Sequence, residues 1–317
     1  MGRKNSIQYD LLTAALPVTA NNNTGKAYKR AIKRFAGRAR EQGYKSVTDI
    51  NQAGAANVIQ AYERHLEGQT GSPSTIHTHL APVCKGLGVS MCDIDKPKRG
   101  AGSISRGRCR LNNAQGKKEA VSGKYARLVS FQAAVGIRRA ELAHLTGEDL
   151  VQDEAGEWCV RVQRGKGGKE QLQRILPQHI DTVRSIMAQV GPDQRVFAAA
   201  EMANCIDLHG MRAALAREAY DYYAGRLAED PGYRKVLQRD LMARWRYGHG
   251  RFDDCAGADR FAGELGNPSP YRLRGANKTA AIAHGRPVEY DRLAMMAVSV
   301  YHLSHWRLDV TSVNYLA

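Results

Sequence analysis

The sequence has no apolar run long enough to cross a bilayer. The longest candidate, Leu293 to Leu303, is interrupted by Ser299, Tyr301 and His302, and it falls short of the roughly 18–20 residues that a spanning helix needs. No membrane partner is expected. The N-terminus starts basic, but Asp10 and Pro17 spoil it as a secretory leader. Cysteine is sparse. Six residues (Cys84, Cys92, Cys109, Cys159, Cys205 and Cys255) contain no Cys-x-x-Cys pair and no tight spacing with histidine. They read as reduced thiols of a cytoplasmic protein, not as a disulfide framework or a zinc site. No metal or other cofactor is implied. Acidic residues are also scarce. Asp and Glu number 31 against 47 Lys and Arg, for a formal net charge of +16. An excess of that size points to a polyanionic partner, nucleic acid first.

The 317 residues, 43% of them hydrophobic, allow one large domain or two ordinary ones. Residues 1–23 end in Asn-Asn-Asn and read as a loose N-terminal arm. From Thr24, a candidate cap, Tyr28, Ile32, Phe35 and Ala39 recur at helical spacing until Gly43. The opposite face carries Lys26, Lys29, Arg30, Lys33, Arg34 and Arg38 with no acid before Glu41. Such a face suits a duplex backbone, and these six are the candidate DNA-binding residues. A second helix is expected from Asn51 to about Leu66. A third begins at Ser72 and Pro73, with Pro82 expected to kink or end it. Residues 24–95 therefore form a small helical domain. Residues 96–110, rich in Gly, Ser, Lys and Arg, read as a basic linker.

Residues 111–317 form a second domain. Helices are expected around Tyr125–Ile137, Ile180–Val190, Leu208–Tyr223 and Arg292–His302. Between the first two, Trp158, Val160 and Val162 alternate, a glycine-rich turn follows, and Leu172 and Ile175 return. That is a β-hairpin with Lys166 and Lys169 near its tip. The fold class is mainly α with a small β-hairpin or sheet, an α+β protein.

Four stretches carry chemistry. "VGIRRAEL" places Arg138 just after a glycine. "RGKGGKE" places Lys166 on the hairpin. "HGMR" places His209 and Arg212 three apart, on one helical face. "LSHWRLDVTSVNYL" brings His305 and Tyr315. Together they suit attack on a phosphodiester. Two guanidiniums, Arg138 and Arg212, can clamp the non-bridging oxygens as charge builds on them. A lysine with a lowered pKa, Lys166, can protonate the leaving 5′-oxygen. The Tyr315 hydroxyl becomes a useful nucleophile when arginines and histidines, here His209 and His305, help remove its proton. Lys169 competes with Lys166 for its role, His302 with His305, and Tyr301 with Tyr315.

The four motifs, in this order, resemble those of the tyrosine recombinase (phage integrase) family. "SPSTIHTHL" resembles a segment of that family's helical, SAM-like core-binding domain. The resemblance covers about residues 24–220 and 293–317. It implies a core-binding domain and a catalytic domain that close as a clamp on double-stranded DNA. It implies Arg138, Lys166, His209, Arg212, His305 and Tyr315 as catalytic residues, with Glu141 as support. It implies a 3′-phosphotyrosyl intermediate, a homotetramer on DNA and a possible accessory DNA-bending factor. The expected task is integration or excision of a mobile element or prophage, at the nucleoid. The alternatives are a DNA-binding relative with impaired cleavage, and an enzyme of the type IB topoisomerase or telomere-resolvase kind.

The sequence departs from the family pattern in four places. His305 and Tyr315 are ten positions apart, where nine is usual. Ser304 stands in place of the usual glycine. A segment at about 224–290 is inserted between Arg212 and His305, and it reads as an exposed excursion, a DNA contact or a subunit contact. The sequence ends two residues past Tyr315, so exchange of a following segment between subunits is not expected.

Overall fold

The computed structural model describes residues 6–16, 23–99, 123–163, 165, 170–202, 206–248 and 255–316. The fold is mainly helical with a small antiparallel sheet, and it divides into two compact units, 1–104 and 105–317. Of the linker expected at 96–110, residues 100–110 lie outside the described residues. Asp95, just before it, and Pro97, within it, are tied to the first unit: Gln60 exchanges two hydrogen bonds with the Asp95 backbone, and His77 meets the Pro97 carbonyl.

The first unit has five helices among its described residues: α1 (Ile7–Ala15), α2 (Asn23–Glu41), α3 (Val47–Gln52), α4 (Ala55–Glu67) and α5 (Pro73–Leu87). Helix α1 corrects the expectation of a loose arm. Ser6 caps it, and Ile7, Leu11 and Ala15, spaced by four, are all buried. It lies close on α5 because residue 86 is glycine: a Cβ there would stand 3.0 Å from the Leu11 side chain and 3.1 Å from its carbonyl. The helix expected from Asn51 to Leu66 is two helices, broken at Gly54, whose φ of +84° suits glycine. Pro82 does not end α5. It is buried, and the helix runs on to Leu87, where Gly88 at φ +69° closes it. Burial of the ring offsets the one N–H bond that proline cannot make. The core is built on Ile32, Phe35, Ala36 and Ala39 of α2. Phe35 meets Tyr62 edge to face at 5.1 Å, a pairing of about 0.5–1.5 kcal/mol beyond the area buried.

The second unit begins its described part with α6 (Ala126–Val135) and the short α7 (Arg139–Leu142), then a sheet of β1 (Leu150–Gln152), β2 (Trp158–Val162) and β3 (Gln171–Arg174). Both pairings are antiparallel, with Leu150 opposite Val160 and Cys159 opposite Arg174. Helices α8 (Ile180–Met187), α9 (Ala199–Met202) and α10 (Leu208–Glu229) follow. Val160 and Val162 pack with Leu128, Phe131 and Val135 of α6. The other face of the sheet is covered as well. There Arg174 pairs with Asp153 and Asp240, each at 2.7 Å, and Arg244 pairs with Asp153 at 2.8 Å.

Asp240 and Arg244 belong to the segment 224–290. Helix α10 runs on into it, and α11 (Tyr233–Gly248), α12 (Cys255–Gly266), β4 (Tyr271–Arg272), α13 (Gly275–Ala283) and β5 (Glu289–Tyr290) complete it. The reading of this segment as an exposed excursion is corrected. Leu237, Leu241, Trp245, Phe261, Leu265 and Tyr290 are buried in one core with Leu293, Met295 and Tyr301. The helix expected over Arg292–His302 is α14 (Arg292–Ala297) followed by a π-helical turn, Val298–His302. After a loop, α15 (Leu308–Thr311) runs into a second π turn, Ser312–Leu316.

Candidate active site

A cavity of about 540 Å3 in the second unit is lined by Arg138, Arg139, Asp207, His209, Arg212, His305 and Tyr315, among others. Five of the six candidate catalytic residues thus meet in one place. The sixth, Lys166, and its competitor Lys169 lie outside the described residues.

Gly136 ends α6 in a left-handed conformation, φ +63°, and sits hard against α10. A Cβ there would stand 2.9 Å from the Leu215 side chain and 3.3 Å from the Arg212 Cα. The close approach lets the Gly136 carbonyl accept from Arg212 Nη1, while Arg212 Nη2 donates to the Leu303 carbonyl at 2.8 Å. Arg212 is 1% exposed. Burial pushes its pKa down and Tyr315 pulls it up, and a guanidinium stays charged throughout the accessible range.

Arg138 stands just before α7. Its backbone N–H and its guanidinium both donate to the buried carboxylate of Glu141, at 2.9 and 2.6 Å. Glu141 thus fixes the orientation of Arg138 and neutralises part of its charge. Arg139, beside it in the lining of the cavity, is engaged with backbone. It donates to the carbonyls of Met202 and Ile206 at 3.0 and 2.7 Å, which holds the chain entering α10. Asp207 caps that helix by accepting from Gly210 N–H at 2.9 Å, and this sets His209 on its first turn and Arg212 at the start of the second.

The Tyr315 hydroxyl lies 3.1 Å from His305 Nε2. The ring centres of His209 and Tyr315 are 5.4 Å apart, and the Arg212 guanidinium is 5.8 Å from the Tyr315 ring centre. Ten positions separate Tyr315 from His305, and the tyrosine sits in the π turn 312–316, whose i→i+5 bonding holds one residue more than an α turn. Arg217 of α10 donates to the Tyr315 carbonyl at 3.1 Å, and the Tyr290 hydroxyl donates to that of Leu316 at 3.3 Å.

The competing residues are placed elsewhere. His302 is 1% exposed and meets the Tyr223 hydroxyl at 3.2 Å, and burial pushes its imidazole down to about 3. Tyr301 is fully buried, its hydroxyl donates to Asp240 at 2.7 Å, and burial raises its pKa well above the ordinary value. Neither lines the cavity.

In the first unit, Lys26, Lys29, Arg30, Lys33 and Arg34 are exposed on one face of α2, and Arg38 is half-buried. Arg34 donates to Gln69, and Arg38 pairs with Glu41 at 2.9 Å.

Sequence reasoning noted the glycine before Arg138 but missed Asp207, Arg217 and the Leu303 carbonyl. Only Asp207, three residues before Gly210, carried a visible signal, that of a helix cap. Among the described residues no cluster could hold a metal ion, and no helix is long and apolar enough to cross a membrane.

No protein-family model and no curated protein matches the chain. Among solved structures it is similar to a XerA recombinase, over 98% of this chain and 93% of that one, at 14% identity and a TM-score of 0.26. A likeness that low carries no weight for function.

Proposed function

We propose that this chain cleaves and rejoins DNA strands with Tyr315 as the nucleophile, in the manner of a tyrosine recombinase. The observation that carries the reading is the gathering of Arg138, Arg212, His209 and His305 round Tyr315 in one cavity. The three arginines at that cavity, Arg138, Arg139 and Arg212, outnumber the carboxylates of Asp207 and Glu141 and leave a positive surplus there. A phosphodiester supplies the missing negative charge, and the surplus grips it more tightly as charge builds in the transition state.

The Tyr315 oxygen attacks phosphorus and its proton passes to His305. The bond to the 5′-oxygen breaks, a 3′-phosphotyrosyl link forms, and the leaving oxygen takes a proton from Lys166. A 5′-hydroxyl from the partner strand then attacks the link and releases the tyrosine. The bond energy is kept throughout, so no external energy source enters. The basic face of α2 supplies affinity for the duplex backbone. The proposed setting is integration or excision of a mobile element, with four protomers on two duplexes and a DNA-bending accessory factor.

The test is a duplex nicked beside the cleavage site, which traps the covalent intermediate. The wild-type chain forms an adduct and Tyr315→Phe does not, while DNA affinity is unchanged. An adduct in Tyr315→Phe overturns the assignment. A gel shift with no adduct in the wild type identifies a DNA-binding protein without cleavage.

A further inference from the structure

We infer that Trp306 is a positioning residue for His305, and that the segment 224–290 acts on the site through it. The inference rests on the reading of Tyr315 as nucleophile and His305 as its partner.

Among the described non-glycine residues, Ser304 and Trp306 alone have positive φ, +50° and +58°. They flank His305. A bulky residue keeps such a conformation only where its surroundings over-determine it. Three ties do so here. Before the loop, the Leu303 carbonyl is held by Arg212. Within it, His305 N–H donates to the Ser299 carbonyl at 2.9 Å and Arg307 N–H to the Ser299 hydroxyl at 3.0 Å. The third tie is aromatic. The Trp306 ring lies 5.8 Å from that of Phe261, which is stacked on Trp245 at 5.9 Å and 19°. Phe261 and Trp245 both belong to the segment 224–290, and both are buried.

The first two ties hold the backbone on either side of His305. The aromatic tie sets the rotation of the residue that follows it. A cavity of about 520 Å3 opens beside the loop, lined by Val300, Ser304, Trp306 and Arg244 among others. The indole therefore has room to relax on that side, and the ring contact with Phe261 gives it a direction. Turning Trp306 to an extended conformation would swing the peptide that joins it to His305. The imidazole would then leave the Tyr315 hydroxyl, now 3.1 Å away. Displacements of that size at a reacting group cost far more rate than binding.

The test combines Trp306→Leu, Trp306→Phe and Phe261→Leu with His305→Ala. Trp306→Leu is expected to slow adduct formation by roughly 10- to 100-fold with DNA affinity unchanged, and Trp306→Phe to keep most of the rate. In the His305→Ala background, Trp306→Leu should add no further loss, because it acts through the absent imidazole. An additive loss overturns the inference. A second reading uses the DNA-free protein: the 15N signals of His305 should move toward those of a free imidazole in Trp306→Leu and Phe261→Leu, and unchanged signals also overturn it. Since that measurement needs no adduct, it decides the positioning role even if Tyr315 proves not to be the nucleophile. Phe261→Leu attacks the contact from the other side and carries the test if Trp306→Leu does not fold.

Discussion

Arg212 and Arg138 donate to the same atom, the carbonyl oxygen of Leu303, at 2.8 and 3.4 Å. Two cations on one neutral acceptor repel each other, and Arg138 accordingly pushes the Arg212 pKa further in the direction set by burial. Glu141 answers one of the two charges. The Gly136 and Leu303 carbonyls hold the other, and under the proposed function a phosphodiester would answer it. The shared carbonyl also ties the clamp to the loop of His305, which begins at Leu303.

Arg212→Lys and Arg138→Lys should each lower cleavage by at least ~10²-fold, since a point charge cannot reproduce the guanidinium fork. Their stability costs should differ. Arg212→Lys leaves the buried carbonyls of Gly136 and Leu303 poorly satisfied, at about 1–3 kcal/mol for an unsatisfied group, whereas Arg138, with a side chain 24% exposed, should cost little. Denaturant titration alongside the adduct assay separates the two. Near-normal cleavage by Arg138→Lys means that Arg138 is only a surface charge.

That Arg138, His209, Arg212, His305 and Tyr315 share one cavity was legible because four short motifs pointed to them as one set. The shared acceptor was not, because a carbonyl belongs to every residue. Helix α1 was hidden by its shortness and by the asparagines after it, although Ile7, Leu11 and Ala15 had the right period. In segment 224–290, Tyr233, Leu237, Leu241 and Trp245 also recur by four, yet the intervening arginines drew attention to partners outside the chain. Two of those arginines instead pair within the second unit: Arg244 meets the buried side chain of Asp153, and the half-buried Arg234 meets Asp291. The π turns could not be read, since they depend on how the chain is held at both ends.

Ser304→Gly should stabilise the fold. The position has φ +50°, which costs a residue with a Cβ and not glycine. We expect a gain of about 0.5–1 kcal/mol over Ser304→Ala, after glycine's larger entropy in the unfolded chain is counted. Urea midpoints measure it. A glycine variant no more stable than the alanine variant would show that the loop is unstrained at this residue.

His302 should make stability depend on pH in a known direction. Its folded pKa lies at about 3, below the ordinary 6.5, with burial as the main cause and Arg174 and Arg212 adding to it. The folded protein holds it neutral, so the contribution is complete above 6.5 and is lost as pH falls from there toward 3, while the unfolded chain takes up a proton. The slope is about 1.4 kcal/mol per pH unit for one such group. Between pH 7.5 and 5.5 the wild type should therefore lose roughly 1–1.5 kcal/mol more than His302→Asn, which cannot titrate. Equal losses in the two proteins would place a solvated histidine at this position.

The basic face of α2 should announce itself through salt. Lys26, Lys29 and Lys33 are exposed and follow one another at helical spacing, so a single backbone strand of a duplex can run along them. Each phosphate contact releases counterions and contributes about 0.9 to the slope of log affinity against log salt. Replacing all three by Gln should flatten that slope by roughly 2–3. It should weaken specific and random duplexes alike, because phosphate contacts position a protein without reading its sequence. Adduct formation at low salt should survive, since the chemistry belongs to the other unit. An unchanged slope would mean that this face is merely solvated and that the net charge of +16 acts through other surfaces.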